Sequence, residues 1–250
     1  MTTLLAVDNL EKRYGGVHAV AGVSFSVAAG ERVALIGPNG AGKTTCFNMI
    51  GGQIRPDAGR VRLAGEDVTG APPRALFRKG VGRTFQIAAT FGSMTVVENV
   101  QLALLSHVRR ALRPLGEAAS ASAEQARALL ASVGLESQAA RPCDQLAYGD
   151  VKRLELAMAL ANTPRLLLMD EPTAGMAPRE RHELMTLVSD ISAQRDLSVL
   201  FTEHDMDVVF GHADRIVVLD RGRVVAEGSQ DEVRNDPEVK RIYLGEAAAQ

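Results

Sequence analysis

The 250-residue chain contains no apolar run long enough to cross a bilayer as a helix, which needs roughly 18 residues or more. Its opening, "MTTLLAVDNLEKRYGG", lacks the basic start, apolar stretch and small-residue cleavage site of a secretory leader. Cysteine is scarce: Cys46 and Cys143 stand far apart, with no CxxC pair and no Cys/His cluster, so metal-site spacing is absent. Two lone thiols suit a reducing compartment and read as small buried apolar residues. Neither charge dominates. Lys+Arg 28 against Asp+Glu 30 leaves a net charge of −2, which gives no electrostatic ground for sequence-independent nucleic-acid binding. Repeats and low-complexity tracts are missing too. These absences point to a soluble, cytoplasmic chain that does not bind nucleic acid.

Apolar residues make up 46%, enough for a sizeable core. "HAVAGVSFSVAAG" reads as a strand ending in a turn at Gly30, and "RVALIG" (32–37) as a strand buried on both faces, followed by a helix over 43–51. "GRVRLAGEDVTG" (59–70) reads as a hairpin with Gly59 and Gly65 as turn residues, and "GVGRTFQ" (80–86) as a strand ending at Gln86. From about 88 to 162 the texture changes to Ala, Leu, Arg and Glu at helical spacing. There Ser122 and Gln125 resemble a capping box, which places a helix start at 122 and makes 109–125 a flexible connection. The strand–helix alternation returns with strands at 165–170 and 198–204, a helix at 178–195, a hairpin at 215–228 turning at Arg221-Gly222, and two short helices after 229. The whole reads as one α/β domain with an inserted helical subdomain (about 88–162) and a helical tail (about 229–250).

"GPNGAGKT" (37–44) fits G-x-x-x-x-G-K-[ST] between a predicted strand and a predicted helix, the context that gives the motif meaning. Gly37, Gly40 and Gly42, with Pro38, Asn39 and Ala41 between them, let backbone N–H groups turn inward around phosphate oxygens. The helix N-terminus adds partial positive charge. Lys43 is placed to reach β- and γ-phosphates, the Thr44 hydroxyl to ligate Mg²⁺, and Thr45 to donate toward the α-phosphate. "LLLMDEP" (166–172) ends a second buried strand in two carboxylates. Asp170 suits Mg²⁺, and Glu171 suits a general base for an attacking water. His204, after "VLFTE", and Gln86 end two further strands.

Taken together these residues resemble the ATP-binding subunit of ABC transporters from about residue 5 onward. The resemblance implies a P-loop NTPase core of RecA-like mixed sheet, an N-terminal antiparallel β-subdomain and an inserted α-helical subdomain. It implies an ATP hydrolase using ATP and Mg²⁺. Tyr14 falls at the adenine-stacking aromatic, Gln86 at the Q-loop as a catalytic and metal-contacting residue, Asp170 at the Walker B aspartate, and Glu171 at the catalytic glutamate. "AGMAP" (174–178) falls at the D-loop and His204 at the switch histidine. "LAYGD" (146–150) falls at the signature, so Ala147, Tyr148, Gly149 and Asp150 are expected to meet the nucleotide of a second ATPase subunit, identical or paralogous, in a head-to-tail pair.

The ending "EVRNDPEVKRIYLGE", with "GVGRTFQ" and "MTVVENV", is similar to the branched-chain amino acid importer ATPases. Urea or amide importers, lipopolysaccharide exporters and iron–sulfur assembly ATPases are the alternatives. The implied partners are integral membrane permease subunits and, indirectly, an extracytoplasmic solute-binding protein, with the chain peripheral on the inner face of the membrane. Phe91, Met94 and Val97 are expected to line a groove for a permease helix. The signature departs from the usual L-S-G-G-Q at Ala147, Tyr148 and Asp150. Without the serine hydroxyl one hydrogen bond to phosphate is lost, worth about 1.5–3 kcal/mol.

Overall fold

The computed structural model describes residues 2–84, 90–107 and 115–247. Two sheets and the described helices form the fold. The first sheet is antiparallel, in the order β2-β1-β4-β5, from β1 (Thr3–Tyr14), β2 (Val17–Ala28), β4 (Ala58–Leu63) and β5 (Glu66–Asp67). The second comprises β3 (Arg32–Ile36), β6 (Val81–Arg83), β7 (Leu166–Asp170), β8 (Ser198–Thr202), β9 (Arg215–Asp220) and β10 (Arg223–Gly228). Its order is β10-β9-β3-β8-β7-β6, parallel throughout except for the β9–β10 hairpin. This is the mixed sheet and antiparallel β-subdomain that the sequence implies.

The short apolar runs are explained by burial on both faces. Along β3, Val33 and Leu35 enter one core while Ala34 and Ile36 enter the other. The first core lies against the antiparallel sheet and α1 (Lys43–Ile50), and includes Leu5, Val23, Cys46 and Phe47. The second lies under the helices that follow β6. Three of these, α3 (Val96–His107), α4 (Leu115–Ser132) and α5 (Tyr148–Ala159), fall between β6 and β7 in the chain. They contribute Val100, Leu130 and Leu154 to this core. α6 (Pro178–Arg195) joins β7 to β8, and α7 (Met206–His212) joins β8 to β9. After β10 come α8 (Gln230–Asn235) and α9 (Pro237–Ala247). Both cysteines are buried, and burial pushes the Cys46 thiol up to about 12.

Several boundaries differ from the sequence expectation. The helix expected from Ser122 begins at Leu115, so residues 115–125 are helical and Ser122 is a buried residue inside α4 rather than its cap. The Ala-rich stretch has helix propensity that outweighs the local Ser/Gln capping pattern. Gly59 lies inside β4, and the turn of that hairpin is Ala64-Gly65. The strand at 198–204 ends at Thr202. β1, α2 (Pro73–Arg78) and α7 carry too weak a periodicity to have been read. The strand expected to end at Gln86 stops at Arg83, and Gln86 itself lies outside the described residues.

One arginine fastens the two sheets together. Arg215 of β9 donates to both Glu31 oxygens at 2.7 and 2.9 Å and to the Ser26 carbonyl of β2 at 2.6 Å, and it also pairs with Glu227 of β10. Burial alone would raise the Glu31 carboxyl; the Arg215 hydrogen bond, the Ala28 amide and the Arg215 charge outweigh it and hold it below the usual carboxylate range. A depressed carboxylate contributes stability that is present above its unfolded pKa and lost as pH falls through its folded pKa. Glu31→Gln is therefore expected to cost about 1.5–3 kcal/mol at pH 7. The gap between variant and parent should close as pH falls below about 4, as followed by denaturant melts across pH.

Candidate functional site

β8 pairs in parallel with β3 on one side and β7 on the other, so the C-terminal ends of all three open on one edge of the sheet. Thr202 stands opposite Leu35 in one register and Asp170 in the other. The crevice beyond such strand ends is where α/β sheets bind ligands. The phosphate-loop motif leaves β3, the acid pair leaves β7, and His204 leaves β8.

The loop from Gly37 to Gly42 closes tightly against its neighbours. Gly37 has φ +151° and Gly42 φ +99°; a Cβ would come 2.1 Å from the Leu219 carbonyl oxygen at the first and 2.3 Å from that of Ala19 at the second. Only glycine fits at either point. Lys43 is buried, and its ammonium spans the loop, donating to the carbonyls of Gly37 at 2.6 Å and Pro38 at 2.9 Å. Asn39, Gly40 and Thr44 are exposed, and no side chain caps the first turn of α1. A cationic loop with open helix amides is the arrangement that holds a polyphosphate. Tyr14 ends β1 at the tip of the β1–β2 hairpin, with Lys12 Nζ 5.8 Å from its ring; it is 47% exposed, so its face is open for stacking.

At the end of β7, Asp170 is buried. Its Oδ1 accepts from the Thr202 hydroxyl at 2.8 Å, and its Oδ2 lies 3.7 Å from the Arg83 guanidinium. Arg83 is held by Asn48 Oδ1 at 2.7 Å and lies 5.1 Å over the Phe47 ring; burial lowers its pKa against the pull of Asp170. Glu171 adopts a left-handed backbone, φ +48°, which costs about 1–3 kcal/mol in a non-glycine residue. Its amide donates to the carbonyl and the hydroxyl of Thr202, at 3.2 and 3.0 Å. The turn aims its carboxylate at His204, whose Nε2 is 2.8 Å from Glu171 Oε1.

The segment after Glu171 is braced from two more sides. Buried Glu203 accepts from the amide of Thr173 at 3.0 Å and its hydroxyl at 2.6 Å, and from the His204 amide at 3.1 Å. Arg181 donates to the Met176 carbonyl at 2.8 Å and to Asp205 Oδ2 at 2.6 Å. Thr202, Glu203 and Arg83 join the site without belonging to any motif of the sequence. The available signal was the polar run "TEH" at the end of a strand predicted to be buried, parallel to the "DE" end of β7.

Ala147 precedes α5 and offers no side-chain cap. Tyr148 donates its hydroxyl to the Ala174 carbonyl at 3.0 Å, and Asp150 accepts from Gln138 Nε2 at 2.7 Å. The Gln138 bond gives the Asp150 charge a partner inside its own chain. Thr44 and Asp170 supply hard oxygens of the kind Mg²⁺ takes. Among the described residues no group of three or more His, Cys, Asp or Glu side chains could hold a metal.

A separate groove of about 610 Å³ opens between α2, α3 and α5, lined by Leu76, Phe77, Phe91, Leu102, Met158 and Glu155. Phe91 is there as expected, 52% exposed, while its backbone N–H and carbonyl are pinned by the buried Asn99 side chain at 2.8 and 3.1 Å. Met94 and Val97 do not line it: both are half-buried, and Val97 packs on the core under the helices, because it stands five residues from Leu102, about 140° around α3.

A family model described as ABC transporter matches residues 20–174. The chain belongs to the ABC transporter family. A second model, described as branched-chain amino acid ATP-binding cassette transporter, matches 223–249. The cassette is 41% identical to the high-affinity branched-chain amino acid transport ATP-binding protein LivG of Salmonella typhimurium and 40% identical to BraF of Pseudomonas aeruginosa, covering 98% of each chain. A crystal structure of the ADP conformation of an ATP-binding cassette of an ABC transporter superposes with a TM-score of 0.86 at 32% identity, over 98% of this chain and all of that one. The cassette is therefore a nucleotide-binding ATP hydrolase. Among its described residues no helix is long and apolar enough to cross a membrane.

The Thr202 hydroxyl donates to the Asp170 carboxylate and accepts from the Glu171 amide. Thr202→Val keeps the shape and removes both contacts. ATPase turnover should fall about tenfold, equivalent to roughly 1.4 kcal/mol. ATP binding, followed by equilibrium titration, should change little.

Proposed function

We propose that this chain is the ATP-binding subunit of an importer for branched-chain amino acids or a related small solute. The observation that carries the reading is the convergence of the Lys43 loop, Asp170 and the Glu171–His204 pair on one sheet edge, in a chain that matches LivG and BraF end to end. In this reading the amides of Gly37–Thr45 and Lys43 hold the phosphates, and Tyr14 stacks on the base. Thr44, Asp170 and Gln86 hold Mg²⁺, which would offset phosphate charge when bound. Glu171 orients the attacking water and takes its proton. His204 fixes the Glu171 carboxylate through the 2.8 Å contact, and it is the residue that would contact the γ-phosphate.

Completion of the site requires a second copy or a paralogue. The amides at the start of α5, with Ala147, Tyr148, Gly149 and Asp150 around them, face the partner's phosphates; a solved dimeric cassette at 27% identity supports the pairing. The groove at Phe91 receives a helix of a permease subunit, which holds the cassette on the inner face of the membrane and links ATP turnover to a binding protein outside.

The test is reconstitution with permeases and binding protein in proteoliposomes. ATP-driven uptake of leucine, isoleucine or valine is expected; ATPase that no such ligand stimulates would reject the substrate class. Phe91→Asp should leave ATP binding intact and abolish uptake, and normal uptake would reject the groove. Ala147→Ser restores an N-cap and a phosphate donor. It should raise ATPase activity of the assembled transporter about tenfold, the factor for regaining a phosphate hydrogen bond of about 1.5 kcal/mol.

A further inference from the structure

In the reading above, the segment 147–150 serves the partner's nucleotide. Its largest side chain is used differently. The Tyr148 hydroxyl is engaged 3.0 Å from the Ala174 carbonyl of its own chain, and its ring lies 3.5 Å from where a Cβ on Gly175 would stand. Ala174 belongs to the turn that starts at the catalytic base: its amide donates to the Glu171 carbonyl at 3.2 Å, and the Met176 amide donates to that of Thr173 at 3.1 Å. The ring centre also lies 5.6 Å from the ammonium of buried Lys152, and Lys152 pairs with buried Glu155 at 3.1 Å. Glu155 lines the Phe91 groove. One helix, α5, therefore touches the trans-acting segment, the loop holding Glu171 and the wall of the groove.

We propose that Tyr148 is a positioning residue for Glu171 in its own chain, locking the start of α5 to the 171–176 turn, and that its side chain is not a nucleotide contact. A glycine at this position supplies backbone amides but no such lock. Tyrosine makes the posture of the Glu171 loop depend on where α5 sits, and α5 sits against the groove. The inference rests on the proposed reading of the site, so its test includes a measurement that needs no catalysis.

Tyr148→Phe keeps the ring and removes only the hydroxyl. In the full chain, hydrogen exchange at the amides of Ala174 and Met176 should speed up about fivefold or more, with exchange in β3 and β7 unchanged. Unchanged exchange in 171–177 would overturn the proposal whatever the chain transports. In the assembled transporter the same variant should lower kcat about five- to tenfold with KM for ATP within twofold. A raised KM with normal kcat would overturn it in favour of a nucleotide contact. Gly175→Ala, strained at φ +79° in the same turn, should lower kcat as well.

Discussion

Parallel pairing of β8 between β3 and β7 is the constraint on which the site depends. It brings three loops, each far from the others in sequence, to the same edge at a spacing set by the sheet itself. Thr202 occupies the junction, one hydroxyl bonded both to Asp170 and to the amide of Glu171. The Lys43 loop and the Asp170–Glu171 pair are thus built on the same hydrogen-bond ladder.

The price of aiming Glu171 is a left-handed backbone, and the surroundings hold it there. Thr202, Glu203 and Tyr148 bind the residues from 171 to 174, while Arg181 reaches the carbonyl of Met176. These braces come from β8, from the loop after it, from α5 and from α6. Strain of about 1–3 kcal/mol persists only where such a surround over-determines it. The carboxylate is consequently presented to His204 in one orientation rather than sampling several.

Much of this was legible in the sequence where chemistry and periodicity coincide. The strands β3, β7 and β8 are continuous apolar runs because both faces are buried, and the residues that follow each are polar and conspicuous. Thr202 and Glu203 were passed over because a lone threonine and glutamate at a strand end look like ordinary solvated caps; only the register shows that they face Asp170 and Thr173. Ser122 misled for the opposite reason. Its local pattern matches a helix start, but the helix runs through it and buries it. The use of Tyr148 was hidden for a third reason: the pattern of the 146–150 motif assigns it to a partner, and its hydrogen bond within the chain is a tertiary contact.

The burial of the two thiols has a practical consequence. Cys46 follows the phosphate loop directly, yet at a pKa of about 12 it supplies almost no thiolate near neutrality, and the Cys143 side chain is buried from reagents. The folded chain should behave toward maleimides as though it carried no cysteine. A single thiol introduced at an exposed position, such as the hairpin tip beside Tyr14, would then take a fluorophore or spin label without background. Closure of two subunits around nucleotide could be followed by distance in the otherwise native sequence.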